Sequence, residues 1–189
     1  MTDLEAARAT LLAELREHAL VIGEVTLSSG QPAAYYVDAK RALLRPPAFR
    51  AVGELLAAEA GDHDAAAVGG ITMGADPLAC AAIAAPGGEG LLAFFVRKER
   101  KDHGLQRWIE GPHLERGTRC LVVEDVVTTG GSTVAAIERI AEEGLEVAGV
   151  VSVVDRLAGG TDAIEAAADA PYHPLLTIDE LYPDRPDRD

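Results

Sequence analysis

The ten residues Glu124 to Thr133, EDVVTTGGST, hold the residue types from which a sugar-phosphate site can be made. Glu124 and Asp125 are adjacent carboxylates whose oxygens accept hydrogen bonds from vicinal hydroxyls. After Val126 and Val127, residues Thr128, Thr129, Gly130, Gly131 and Ser132 offer small side chains, hydroxyls and open backbone N–H groups. A helix starting there would present unpaired N–H donors and the positive end of its dipole, an anion site that fits one phosphate. By itself, a TGGS stretch reads as an ordinary strand-to-helix turn whose Ser and Thr cap the helix. The two acids tip that reading, because strand alternation turns one of them inward and an unpartnered buried charge is costly. The chain has no G-x-x-x-x-G-K-[ST], so this is not a nucleoside-triphosphate P-loop.

A second candidate set is basic. With 17 Lys+Arg against 31 Asp+Glu the net charge is −14, which argues against a nucleic-acid surface and repels anions unless positive charge is concentrated locally. It is concentrated: of the three lysines Lys40, Lys98 and Lys101, two fall in RKERKDHG, with Arg97, Arg100 and His103. The stretch from Lys98 to Gly117, which also carries Arg107, shows no clean periodicity, and a loop of that length inside a domain is usually functional. Bounded by Gly104 and by Gly111 with Pro112, it reads as a lid that clamps a polyanion. The plainer alternative is a solvated hairpin with surface charges.

The elements that must position these groups follow from periodicity. Cys120 to Val123 is a β-branched run typical of a buried strand, and Val134 to Ile140 has helical spacing. Upstream, Thr2 with Glu5 suggests a capping box, and Leu4, Leu11, Leu12, Leu15 and Ala19 mark the stripe of a first helix. Val21 to Leu27 and Ala34 to Asp38 read as a hairpin, and Pro46 with Pro47 opens a helix to about Ala60. Strand Ala65 to Val68, helix Pro77 to Ala85, strands Leu91 to Val96 and Arg119 to Glu124, helix Val134 to Glu143 and strand Val147 to Asp155 come next. That alternation predicts an α/β fold with a central, mostly parallel sheet flanked by helices, its ligands beyond the carboxyl ends of the strands. Strand His173 to Ile178 and the tail YPDRPDRD read as a small appendage and a frayed end.

At 189 residues one domain is expected, without linker or repeat. There is no apolar run of about 18 residues, and the acidic N-terminus lacks a signal core, so a cytoplasmic protein without membrane contact is expected. Cys80 and Cys120 have no metal-like spacing and read as reduced core cysteines.

EDVVTTGGST between a strand and a helix resembles the phosphoribosyl pyrophosphate loop of the type I phosphoribosyltransferases. RKERKDHG, GEVTLSSG before YYVD, and VVDR after the last central strand narrow the resemblance to the orotate phosphoribosyltransferase family, over Ile22 to Arg156. The resemblance implies a type I phosphoribosyltransferase fold with an N-terminal hood (about residues 1–40, with the C-terminal end) over a core of about 46–157. It implies transfer of 5-phosphoribose from phosphoribosyl pyrophosphate to orotate, giving orotidine 5′-monophosphate and pyrophosphate. Glu124 and Asp125 would hold the ribose hydroxyls and Thr128, Thr129, Gly130, Gly131 and Ser132 the 5′-phosphate, with Val126 and Val127 completing the phosphoribosyl pyrophosphate site. Arg97, Lys98, Lys101 and His103 would meet the pyrophosphate, with Lys101 and His103 assisting its departure. Thr128 and Arg156 would contact orotate, a planar guanidinium being suited to a carboxylate or ring carbonyls. From the residues alone, Arg156 reads equally as a strand-end salt bridge to Asp155. Tyr35 and Tyr36 would flank the base, unless one packs under the sheet.

The family resemblance further implies Mg²⁺ bound largely through the donor's oxygens, with no ligand assigned to the protein, and a homodimer whose Arg97–His103 loop reaches the neighbouring site. Two positions depart from the family pattern: Met73, in GGITMGAD, and Ser28, in TLSSG, stand where lysines are common. Lys40 is the candidate to replace the first. A transferase for another nucleobase, or a regulator of the same fold that binds nucleotides without turnover, are the alternatives.

Overall fold

Alternating apolar residues sort the strands into two sheets. In a computed structural model, which describes residues 3–26, 32–100 and 107–188, β1 (Leu20–Thr26) and β2 (Pro32–Val37) form an antiparallel hairpin. The larger sheet contains β3 (Ala67–Ile71), β4 (Leu92–Val96), β5 (Ile109–Glu110), β6 (Arg119–Val127), β7 (Glu146–Asp155) and β8 (Tyr172–Thr177), in the order β5-β4-β3-β6-β7-β8. Every neighbouring pair in it is parallel except β4 with β5. Counting only the five parallel strands in chain order, the arrangement is 2-1-3-4-5, so the winding reverses between β3 and β6. Their carboxyl ends part there and leave a crevice, the usual ligand position in such sheets.

One strand feeds two cores. Leu121 and Val123 of β6 pack with buried residues of α1 (Leu4–His18), α3 (Pro46–Asp62) and α4 (Asp76–Ala84). Cys120 and Val122 point the other way, onto Ala136, Ile137 and Ile140 of α5 (Gly131–Glu142) and Ile164 of α6 (Thr161–Ala168). That is the period-two pattern of a strand covered on both faces, and it explains why the run is continuously apolar. Two short helices, α2 (Lys40–Leu43) and α7 (Ile178–Leu181), bury Ala42, Leu43, Ile178 and Leu181 in the first core, beside Tyr35 and Val37 of the hairpin. Pro46 and Pro47 open α3 where a missing N–H is harmless.

Several expectations need correction. Asp3 caps α1 by accepting the Ala6 N–H at 3.1 Å, in place of the Thr2–Glu5 capping box; Thr2 lies outside the described residues. Leu4 turns outward while Leu11, Leu15 and Ala19 are buried. Cys120 is buried, but Cys80 is exposed, because on α4 the buried set is Leu78, Ala79, Ala81 and Ala82 and Cys80 faces away from it. β8 is no appendage: it extends the sheet beside β7, and α6 forms the crossover to it. The described part of the tail, residues 182–188, is not frayed either. Arg185, with a side chain 10% exposed, pairs with Asp179 and Asp187. Within the stretch read as a lid, β5 pairs back onto β4, which gives part of it the hairpin character of the plainer reading. No helix among the described residues is long and apolar enough to cross a membrane.

Candidate active site

β6 runs on past the acids to Val127, so Glu124 and Asp125 lie within the strand, not at its end as expected, and both are buried. Alternation sends them to opposite faces. Ser132 and Thr133 of α5 donate to Glu124 Oε2 at 3.2 and 3.4 Å. On the other face, Lys40 Nζ donates to Asp125 Oδ2 at 3.0 Å and lies 3.5 Å from Asp38. Burial, and after it the neighbouring Asp125 charge, push the Glu124 carboxyl up to about 8. For Lys40 burial opposes the charge, yet the hydrogen bond and charge of Asp125, with Asp38, outweigh it and raise the pKa. The strand therefore carries one carboxyl poised to change charge and one held against an ammonium.

The cradle forms as a left-handed turn. Gly130 has φ +80° and is the N-cap of α5, and no side chain caps the helix. Ser132 and Thr133 lie inside the first turn of α5, where their hydroxyls donate to Glu124. The capping alternative is thus not realised, and the N–H groups at the start of α5 face an edge where Thr128, Thr129, Gly131 and Ser132 are exposed. The positive φ favours glycine at 130, and a Cβ there would also press on Ile164 Cγ1 at 3.0 Å.

Across the crevice, the segment after β3 carries a cis Thr72–Met73 peptide and brings Gly74 against Asp125; a Cβ at Gly74 would stand 2.5 Å from Asp125 Oδ1. Met73 is exposed. Lys40 reaches this corner, where its Nζ is paired with Asp125. A cleft of 340 Å³ lined by Thr72, Phe95, Arg97, Lys98, Glu99 and Glu110 joins that segment to the start of the lid. Arg97 Nη1 donates to Glu110 at 3.1 Å, while Lys98 is exposed. Lys101 and His103, and Ser28 of the hairpin turn, lie outside the described residues.

Arg97 and Trp108, on either side of residues 98–107, are both tied to the far end of α5. Trp108 donates its backbone N–H to Glu143 and its indole N–H to Glu142, each at 2.7 Å. Arg139 covers the ring at 4.6 Å and donates to the Arg97 carbonyl at 3.1 Å. Sequence reading did not identify this anchor. Its signal was the lone tryptophan of the chain standing in a basic loop.

Arg156 follows β7, and its N–H donates to the Val127 carbonyl at 2.9 Å, so Thr128 and Arg156 leave neighbouring strand ends side by side. Its guanidinium does not pair with Asp155. Asp155 accepts from Leu157 N–H at 2.6 Å and Tyr172 O–H at 2.9 Å, and the Tyr172 oxygen is also 2.6 Å from Ser152 Oγ. Arg156 instead lies over the Tyr35 ring at 5.1 Å, with Nη2 donating to the phenol oxygen at 3.3 Å. Its Nε is buried and has no hydrogen-bond partner among the described residues. Tyr35 is buried and Tyr36 exposed, as β2 alternates.

One crevice therefore collects a phosphate-sized helix start, two carboxylates, an arginine with a spare donor, and the root of a basic lid. The sequence profile of the family described as Phosphoribosyl transferase domain matches residues 41–167. An orotate phosphoribosyltransferase of Corynebacterium glutamicum is 51% identical over 93% of this chain and 94% of its own length. One of Streptomyces avermitilis is 49% identical, covering 94% and 98%. The crystal structure of Mycobacterium tuberculosis H37Rv orotate phosphoribosyltransferase in complex with phosphoribosyl pyrophosphate superposes with a TM-score of 0.79, at 41% identity, over 93% of this chain and 98% of that one. On this fold, this site and these relatives, the chain belongs to the phosphoribosyltransferase family, in its orotate phosphoribosyltransferase branch.

Proposed function

We propose that this chain transfers the 5-phosphoribosyl group from phosphoribosyl pyrophosphate to orotate, forming orotidine 5′-monophosphate and pyrophosphate in de novo pyrimidine (UMP) biosynthesis. The observation that carries the reading is the uncapped start of α5 directly beside Glu124, with Arg156 at the adjacent strand end. The N–H groups of Thr128 to Ser132 take the 5′-phosphate, and Ser132 exchanges its bond to Glu124 for one to the ligand. Glu124 and Asp125 receive the ribose hydroxyls. Arg156 presents its guanidinium to the base, beside Thr128. Displacement at the anomeric carbon breaks the C1–O bond to pyrophosphate as C1 bonds to the ring nitrogen of orotate, whose N–H proton passes to the departing pyrophosphate or to water. The developing positive charge is shared with the ring oxygen, so buried carboxylates near it favour the transition state.

The leaving pyrophosphate is met by Arg97, Lys98, Lys101 and His103, with the backbone of Thr72 to Gly74 opposite. Of these, Lys101 carries most of the charge neutralisation at the moment of departure, assisted by His103. Among the described residues no group of three or more His, Cys, Asp or Glu side chains stands ready to hold an ion. The site therefore fits Mg²⁺ only as a companion of the donor, which would provide most of its oxygen ligands, with Asp125 and Glu124 nearby. When bound, the ion neutralises phosphate charge. We further read residues 1–189 as one catalytic domain, acting as a homodimer whose lid reaches the partner's site. The two free thiols accord with the reducing conditions of a cytoplasmic enzyme.

An absorbance assay for orotate loss tests the reading. With donor and Mg²⁺ the protein consumes orotate and releases one pyrophosphate per orotate; chelating the metal stops it. Turnover of uracil, hypoxanthine or adenine in place of orotate would overturn the base assignment.

A further inference from the structure

Arg156 is held by a chain of contacts that leads to residues 182–188, beyond the last helix. Its Nη2 donates to the Tyr35 phenol oxygen at 3.3 Å, and that hydroxyl donates to Asp187 Oδ2 at 3.0 Å. Asp187 Oδ1 is 3.2 Å from Arg185 Nε, and Arg185 in turn pairs with Asp179 of α7. Tyr182 packs edge-on against the Tyr35 ring with centroids 5.5 Å apart. Charges alternate along this line, Arg156, Asp187, Arg185, Asp179, and the one neutral link is a phenol that accepts from a cation and donates to an anion. A hydroxyl polarised in both directions makes each of its bonds stronger than either would be alone.

Geometry assigns this line a task. Arg156 leaves the end of β7 beside Thr128, and among the described residues the side-chain contacts recorded for its guanidinium are with Tyr35, its Nε being buried without a partner. Tyr35 in turn is 3% exposed and fixed by Tyr182 and Asp187. We infer that Tyr35 and Asp187 are positioning residues for base recognition, with residues 182–188 orienting Arg156 through the Tyr35 hydroxyl toward a carboxylated base. The inference rests on the reading that Arg156 faces orotate. It adds that selectivity for the base depends on a segment outside the parallel-sheet core.

Steady-state kinetics on the full chain test it, with Tyr35→Phe, Asp187→Asn and the double variant. Tyr35→Phe keeps the ring under Arg156 and removes only the hydroxyl. Each single variant is expected to raise KM for orotate about threefold to tenfold, the range for losing one hydrogen bond in a charged line, while KM for the phosphoribosyl donor stays in place. The double variant should lose no more than the worse single one, because both cut the same line. Asp187→Glu should recover part of the loss. Variants whose KM for orotate matches the parent, or whose two KM values rise together, would overturn the positioning role. A parent protein that fails to consume orotate would instead remove the functional reading underneath it, so the two failures are told apart by the parent alone.

Discussion

Glu124 shows how the site trades stability for function. A carboxyl whose pKa is raised to about 8 in the folded chain holds a proton that the unfolded chain would release nearer 4.5. Below the lower value both states are protonated and the residue costs nothing. As pH rises toward 8 the folded state binds more protons than the unfolded one, so stability falls through that window. Glu124→Gln should therefore leave the melting temperature near pH 4.5 almost unchanged and raise it at pH 8, measured by calorimetry without ligand, while activity collapses. A variant with the same pH slope as the parent would remove Glu124 as its source. The sequence already marked these acids as out of place in an apolar strand, since no packing role explains them. Their partners were less legible. Glu124 is matched by hydroxyls eight and nine residues away, within reach of local reading, but Asp125 is matched by Lys40, 85 residues back, and only the fold makes them neighbours.

Among the elements, α5 does most to organise the site, because its first turn forms the phosphate cradle and its last turns hold the roots of the lid. Gly130 sets where it starts. Gly130→Ala would have to adopt φ +80° and press on Ile164, which should cost about 1–2 kcal/mol in urea unfolding. It should also raise KM for the donor more than KM for orotate; an equal rise in both would mean the turn acts only through stability. The long elements were readable because they repeat a period: α3, α5, β6 and β7 lie within a few residues of where apolar spacing puts them. The missed ones are short. α2 and α7 are four residues each and β5 is two, less than the span over which a period can show, and they exist because the core and β4 give them something to pack on or pair with. Cys80 was misread for a related reason: α4 is so rich in alanine that composition does not say which side is buried.

For the whole molecule, assembly turns on which subunit's acids the basic segment serves. If each lid serves the neighbouring subunit, Lys101→Ala and Asp125→Asn proteins, each inactive alone, should complement when mixed and re-associated. Half of the dimers are then hybrids, each with one intact site, giving about a quarter of the parental activity. Mixtures as inactive as their components would place lid and acids in the same subunit. The mostly parallel sheet, with ligands beyond its strand ends, followed from the alternation of strands and helices, whereas the strand order and the docking of the hairpin and residues 182–188 onto the core did not, since they depend on contacts distant in sequence such as Tyr35 with Tyr182. The anchor at Trp108 has one more consequence. It is the only tryptophan in the chain, it lies beneath the guanidinium of Arg139 with that of Arg100 5.5 Å away, and its indole N–H is bound to Glu142. The native protein thus contains its own optical probe: indole emission reports on the packing of Trp108 against α5, so any ligand that disturbs those contacts can be followed in a stopped-flow fluorimeter without attaching a dye.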